Sequence, residues 1–372
     1  GMAKSVLAAI ADLEPATWGS TVLNTAELHG DRRCETPGEL NGDMPLLRFD
    51  RVSDGQTKAI VAMYSVHGTV VDSDAKTLTR DFHGAVELKL EEQYASPVTV
   101  LFFNSWSGDT SPSTHSVTTD VDLPSDYNAL EDAGNRASAL ILTALKDIPM
   151  HADAILDAHM ARVPLNLEVL GYAEEEFPWP YGAVYCGGGT EAPCFGEGDV
   201  PEKYLLTGSC VPFSEDSPAP QDTIVGVLRI GDFVIATMPG EPVTDLGERI
   251  IGAIGAAIKG VLPEETRVYL LGYAQDYVGY STSEEDWYHG GYETSGALWG
   301  PKQGDYLTGR TTDFGAHVLT GAPMAWEPMT PRVPKQYTVS AWEVDKTGVV
   351  AVAVQPSASY AAGDVVTFTV NA

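Results

Sequence analysis

The chain has 372 residues, 44% hydrophobic and 20% charged, which suits a globular protein with a sizeable core and excludes a disordered one. Its 52 acidic and 22 basic residues give a net charge of −30, and this excludes nucleic acid as a partner, because phosphate binding needs clustered Lys and Arg. No apolar run approaches the roughly 18 residues of a transmembrane segment, although a local apolar mouth can still touch lipid peripherally.

At the start of the chain, Gly1 ahead of Met2 reads as a cleavage scar. Residues 2–11 hold one Lys and a short apolar run, but Asp12 and Glu14 follow at once, so no signal peptide is expected there. Residues 58–66, KAIVAMYSV, form an apolar run ending at His67, and residues 97–103, PVTVLFF, form another ending at Asn104. Helix formers fill 82–93 between them, and this strand–helix–strand order predicts a parallel pair. Apolar residues at helical spacing predict a helix over 128–148, and 165–171 reads as a strand.

Cys186, Cys194 and Cys210 share one Gly-rich stretch, while Cys34 stands apart. The three are too widely spaced for a structural zinc site, which uses close Cys pairs. A loop-pinning disulfide is the expectation for an exported protein, with 186–198 an irregular surface loop. Further on, Gly231-Asp232 separates VGVLRI from FVIATM and predicts a hairpin over 223–238. Pro239 and Gly240 end that strand; a helix is predicted over 241–258, with Asp245 and Glu248 solvated. A strand over 267–272 leads into a polar, Tyr-rich loop. Prolines then interrupt the chain from 323 to 334, and from Tyr337 the residues alternate as β-strands do. The expected fold class is α/β: a mixed or mostly parallel sheet with flanking helices over residues 1–330, followed by a linker and a short β-rich tail over 331–372.

His67, the loop at 108–111, Glu241 and the Tyr-rich loop each follow shortly after a predicted buried strand. Ligands in open α/β sheets sit outside the carboxyl ends of the strands, so these four loops are expected to converge. Each residue alone also has a structural explanation. A lone His is more often a core residue than a ligand. Ser111, in GDTSPS, lies among turn residues and not in a G-x-S-x-G elbow. Glu241 suits a helix start, where the dipole favours an acid, or a metal. Tyr280 and Tyr292 suit aromatic packing, although a divalent cation can stabilise a phenolate.

Taken in order, SVHGT, the D-x-x-G of residues 81–84, GDTSPS, PGEPVT and GYSTSEEDWYHGGYETSGALWGP resemble the neutral, non-lysosomal ceramidases from about residue 22 to about residue 301. GDTSPS, close to the family's GDVSPN, and the Tyr-rich block are the most specific parts. The resemblance implies a zinc-dependent hydrolase of N-acyl amide bonds, with a ceramide-like lipid amide as substrate and a secreted or periplasmic setting. It implies zinc held by His67, Glu241 and Tyr280. Ser111 would be the essential serine beside the metal, and Tyr292 a donor to the oxyanion. Arg32 would be the active-site Arg, with Arg33 an equal candidate, because Asp31 stands where the family has Asn.

The sequence also departs from the family. The His-Thr-His-Ser-Gly motif, which supplies a further zinc ligand and a second active-site His, is absent. His29 is nearest in position, but its LHGD context differs. Ser113 stands where the family has Asn. These departures carry a second reading, a catalytically impaired relative that binds a ligand or partner without turnover. A third is a metal-free serine hydrolase pairing Ser111 with His67. With part of the family's sheet missing, an exposed sheet edge would invite a partner chain or an oligomer.

Overall fold

The apolar runs at residues 60–64 and 233–237 show little polar alternation because the strands they form are covered on both faces. The computed structural model describes residues 2–33, 41–71, 78–113, 125–173, 175–186, 210–330, 351–354 and 369–371. The chain divides into one unit over Gly1–Met329 and a second over Thr330–Ala372.

The first unit begins with α1 (Met2–Ala11), β1 (Ala16–Asn24), β2 (His29–Asp31), β3 (Asp43–Arg51) and β4 (Thr57–Tyr64). Then come α2 (Asp81–Glu91), β5 (Thr99–Asn104), β6 (Thr110–Pro112), α3 (Ser125–Leu145) and β7 (Leu156–Pro164). Short β8 (Ala183–Val184) and β9 (Val211–Pro212) precede the hairpin of β10 (Asp222–Ile230) and β11 (Phe233–Thr237). The unit continues with β12 (Glu241–Pro242), α4 (Thr244–Ile258), β13 (Arg267–Leu271) and β14 (Tyr280–Ser281), and ends with α5 (Glu284–His289), α6 (Tyr292–Ser295) and α7 (Gln303–Thr320). In the second unit, β15 (Ala351–Val354) and β16 (Thr369–Asn371) pair antiparallel.

The fold is α/β with mixed sheets. Two four-stranded sheets run in the orders β1-β3-β4-β5 and β13-β11-β10-β7. Each has one parallel pair, β4 with β5 and β11 with β13, and its other pairs are antiparallel. The crossover helices are α2 and α4, as the strand–helix–strand pattern requires.

Period-two alternation sets the layers. Leu46, Ile60, Ala62 and Tyr64 are buried with Phe82 and Val86 of α2 and Ala137 and Ile141 of α3. Their neighbours Leu47 and Met63, with Trp18, are buried against Phe233, Ile235 and Tyr269 of the second sheet. Val234, Ala236 and Leu270 pack on the far side with Leu246, Ile250 and Ile254 of α4 and Leu307 and Phe314 of α7. The result is a helix–sheet–sheet–helix sandwich, in which each fully buried aliphatic side chain contributes about 1.5–3 kcal/mol.

Three expectations need correction. Residues 165–171 form turns, and the strand lies just upstream as β7, paired with β10 from Pro164 to Leu156. Asn166 ends the ladder, its side-chain oxygen accepting from Val169 N at 3.1 Å. The helix expected from 241 begins at Thr244, and Glu241 lies in β12 ahead of it. Its cap comes from Asp109, which accepts hydrogen bonds from the N–H and the hydroxyl of Thr244, both at 2.9 Å. Cys186 is disulfide-bonded to Cys210 and buried in the core of the second sheet, not at the surface. Cys34, Cys194 and the remainder of the 186–198 loop lie outside the described residues, as does most of the tail beyond 330.

Candidate metal and active site

His67 follows β4 on a segment held from several sides. Asp81, at φ 52°, accepts from Val70 N and Val71 N at 2.9 and 3.0 Å. His83 donates through Nε2 to Val66 O at 3.0 Å. These two residues give the D-x-x-G motif its purpose: they shape the loop that presents His67. Thr110 Oγ1 and His29 Nδ1 both donate to Ser65 O, at 2.9 and 2.6 Å. Burial lowers the His29 pKa, and its ring stacks on Tyr64.

Glu241 and Tyr280 come together through strand register. β12 and β14 run parallel, with Glu241 opposite Tyr280 and Pro242 opposite Ser281. The approach requires two glycines. A Cβ on Gly240 (φ 71°) would lie 2.2 Å from Gly279 O, and one on Gly279 (φ 77°) would lie 2.1 Å from Gly296 O. Gln303, fully buried, donates to Val278 O and Tyr280 O at 3.1 and 2.8 Å and so fixes the backbone at 280.

The side chains then converge. His67 Nε2 lies 2.9 Å from Glu241 Oε2 and 3.1 Å from the Tyr280 hydroxyl. Tyr273 and Tyr277 donate to Glu241 Oε2 and Oε1 at 2.6 and 2.5 Å. Burial by itself would raise the Glu241 pKa, but the contact with His67 and the hydrogen bonds from the three tyrosines outweigh it and hold the carboxyl down at about 2. Burial, and then the Glu241 charge, push the Tyr280 phenol well above its ordinary value.

The donor set fits a zinc-class ion. His67 Nδ1 lies 3.0 Å from Thr110 O, a group that only accepts, so Nδ1 carries a proton. In a neutral ring Nε2 then turns a lone pair toward an ionised carboxylate 2.9 Å away. A cation shared between the two would satisfy that contact. Bonds of about 2.0–2.1 Å to a common tetrahedral ion place neighbouring donor atoms about 3.3 Å apart, so the pairs here would open slightly around an ion. Among the described residues no group of three His, Cys, Asp or Glu assembles; an ion between His67 and Glu241 would have the Tyr280 phenolic oxygen beside it, and its charge would offset the phenol's reluctance to ionise.

Arg32 joins this cluster. Its Nη2 donates to Gly108 O at 2.8 Å and to the Tyr280 hydroxyl at 3.2 Å, and its Nε lies 2.8 Å from Glu293. The guanidinium sits 5.9 and 5.8 Å from the ring centres of Tyr280 and Tyr292. Arg33 instead is buried and paired with Asp286 and Glu293 at 2.7 and 2.8 Å. Tyr292 is 68% exposed, with its ring edge-on to Tyr280 at 5.5 Å. Ser111 follows Thr110 in β6, opposite Gly30 of β2. Both ring nitrogens of His67 are engaged by Thr110, Glu241 and Tyr280, which leaves neither for Ser111. Motif reading missed Tyr273, Tyr277 and Gln303. The only sequence signal for the two tyrosines was their place in the Tyr-rich loop after a buried strand.

Residues 202–308 match the family model for the N-terminal part of neutral/alkaline non-lysosomal ceramidases. A neutral ceramidase of Drosophila melanogaster is 33% identical over 75 residues, which cover 20% of this chain and 11% of that protein. The chain resembles the neutral ceramidases. Two solved structures share the fold at a TM-score of 0.68 across 100% of the chain. One, a ceramidase complexed with C2, is 18% identical, and the other, a neutral ceramidase from Pseudomonas aeruginosa, is 19% identical. The ceramidase-like chain spans 65% and 64% of the length of those two proteins.

Proposed function

We propose that the chain is a zinc-dependent hydrolase of N-acyl amide bonds, with a ceramide-like lipid amide as its substrate. The observation that carries this reading is the meeting of His67 Nε2, Glu241 Oε2 and the Tyr280 hydroxyl within 3.1 Å, from segments 174 and 213 residues apart in sequence. The similarity to ceramidases in fold and in residues 202–308 supports the substrate class.

His67, Glu241 and Tyr280 would hold the ion. Bound there, zinc would lower the pKa of a water to about 7 and polarise the amide carbonyl. The carbonyl of Thr110 keeps the His67 lone pair on Nε2. Tyr277 anchors the Glu241 oxygen that faces away from His67. Arg32 offers a fixed positive charge between Tyr280 and Tyr292, where a tetrahedral oxyanion would gain from it. Tyr292 stands at the exposed rim, suited to donate a hydrogen bond to the same oxygen. Each such donor is typically worth a few kcal/mol. Ser111 would act as a positioning hydroxyl, since both ring nitrogens of His67 are engaged by Thr110, Glu241 and Tyr280.

The disulfide Cys186–Cys210 supports a secreted or periplasmic setting. No helix among the described residues is long and apolar enough to cross a membrane. Hydrolysis of a short-chain N-acyl sphingosine tests the reading. Turnover should be abolished by a chelator, restored by zinc, and lost in Ser111→Ala and Tyr292→Phe to differing degrees. Zinc uptake without turnover would favour the impaired relative that only binds, and turnover that survives the chelator would contradict the reading.

A further inference from the structure

Three donors follow from the motifs, but the geometry around His67 Nε2 contains a fourth. The Tyr273 hydroxyl lies 2.6 Å from Glu241 Oε2 and 3.4 Å from His67 Nε2 itself. Three oxygens, from Glu241, Tyr280 and Tyr273, thus lie within 3.4 Å of one ring nitrogen. Tyr277 differs, because its hydroxyl meets the other Glu241 oxygen.

The backbone at Tyr273 points the same way. Its φ is 53°, and Gln275 follows at 63°. Left-handed positions cost a non-glycine residue roughly 1–2 kcal/mol, and such strain gathers at functional sites. Here the turn is pinned on both sides. Tyr273 N donates to Gly240 O at 2.8 Å, next to Glu241, and Gln275 Nε2 donates to Thr237 Oγ1 at 2.9 Å. Glycine would relieve the strain but would remove the ring that reaches the cluster.

We propose that Tyr273 is a fourth protein donor to the cation held by His67, Glu241 and Tyr280, its phenolic oxygen taking a coordination position. The inference rests on the metal reading above. Each phenol that coordinates as phenolate releases one proton to solvent. His67, Glu241, Tyr280 and Tyr273 would together hold the ion.

The test is a titration of the metal-free full chain with zinc sulfate, following the ultraviolet difference signal of tyrosinate and the protons released. Two tyrosinates per zinc are expected in the unaltered chain, one in Tyr273→Phe, and two in Tyr277→Phe. Zinc affinity should fall in Tyr273→Phe by more than the about 10- to 100-fold that loss of an outer hydrogen-bonding partner costs. Zinc bound with fewer than two tyrosinates in the unaltered chain overturns the inference and leaves the metal site standing. No zinc uptake by the unaltered chain overturns the metal reading itself. If Tyr273→Phe fails to fold, a count below two in the unaltered chain still overturns the inference, and an unchanged count of two in Tyr277→Phe still excludes Tyr277 as the second tyrosinate.

Discussion

Asp109 and Glu241 are both buried carboxyls, and their neighbours send them in opposite directions. Burial raises the Asp109 pKa to about 6, against the opposing pull of the Thr244 N–H and hydroxyl. The folded chain therefore keeps this proton at a pH where the unfolded chain has lost it. The group's contribution to stability is greatest below about pH 4 and declines as pH rises to about 6, a change on the order of 3 kcal/mol. Asp109→Asn keeps an acceptor for Thr244 and removes the ionisation. Urea unfolding at about pH 4 and about pH 7 should show a smaller decline in this variant than in the unaltered chain; an equal decline would place the titration elsewhere. At this scale the sequence singled out His67, Glu241 and Tyr280, which the fold brings together, only through their motif contexts. Tyr273 and Tyr277 had no such context, because a phenol in a loop has no periodicity and acquires a role only when the fold sets a carboxylate beside it.

Among the elements, those with strong local signals were legible. The β10–β11 hairpin announced itself by Gly231-Asp232 between two apolar runs, and the β4–α2–β5 crossover by its order. β7 was not legible, because as an edge strand it carries Asp157, His159 and Arg162. β12 and β14 were hidden for another reason. Two-residue strands have no pattern to read, and their pairing depends on the left-handed turns at Gly240 and Gly279. Gly240→Ala tests this pairing. Its Cβ would meet Gly279 O at 2.2 Å, so we expect a loss of about 1–3 kcal/mol by thermal melting, with zinc affinity falling in parallel. A variant with unchanged melting and affinity would show that the register is set elsewhere.

For the whole molecule, the sandwich explains how loops far apart in sequence share one site. Parallel pairs in both sheets place the carboxyl ends of β4, β5, β11 and β13 near one another, and the link between Gly108 N and Pro242 O at 2.9 Å ties the two sheets' loops together. The disulfide Cys186–Cys210 closes a separation of 24 residues. Opening it with a mild reductant should lower unfolding stability by about 3 kcal/mol, while zinc content stays the same, since Cys186 packs in the apolar core of the second sheet. Loss of zinc on reduction would mean that the disulfide loop supports the site. The convergence was foreseen from strand ends alone, whereas the two-sheet arrangement was not, since runs buried on both faces do not reveal what covers each face.

The measurement that bears most directly on the account is the metal content of the purified chain by mass spectrometry, with and without His67→Ala. The account predicts about one zinc per chain, lost in the variant while its fold is retained by circular dichroism. A chain free of zinc after exposure to it, or a His67→Ala variant that keeps its zinc, would contradict the claim that His67, Glu241 and Tyr280 form a metal site.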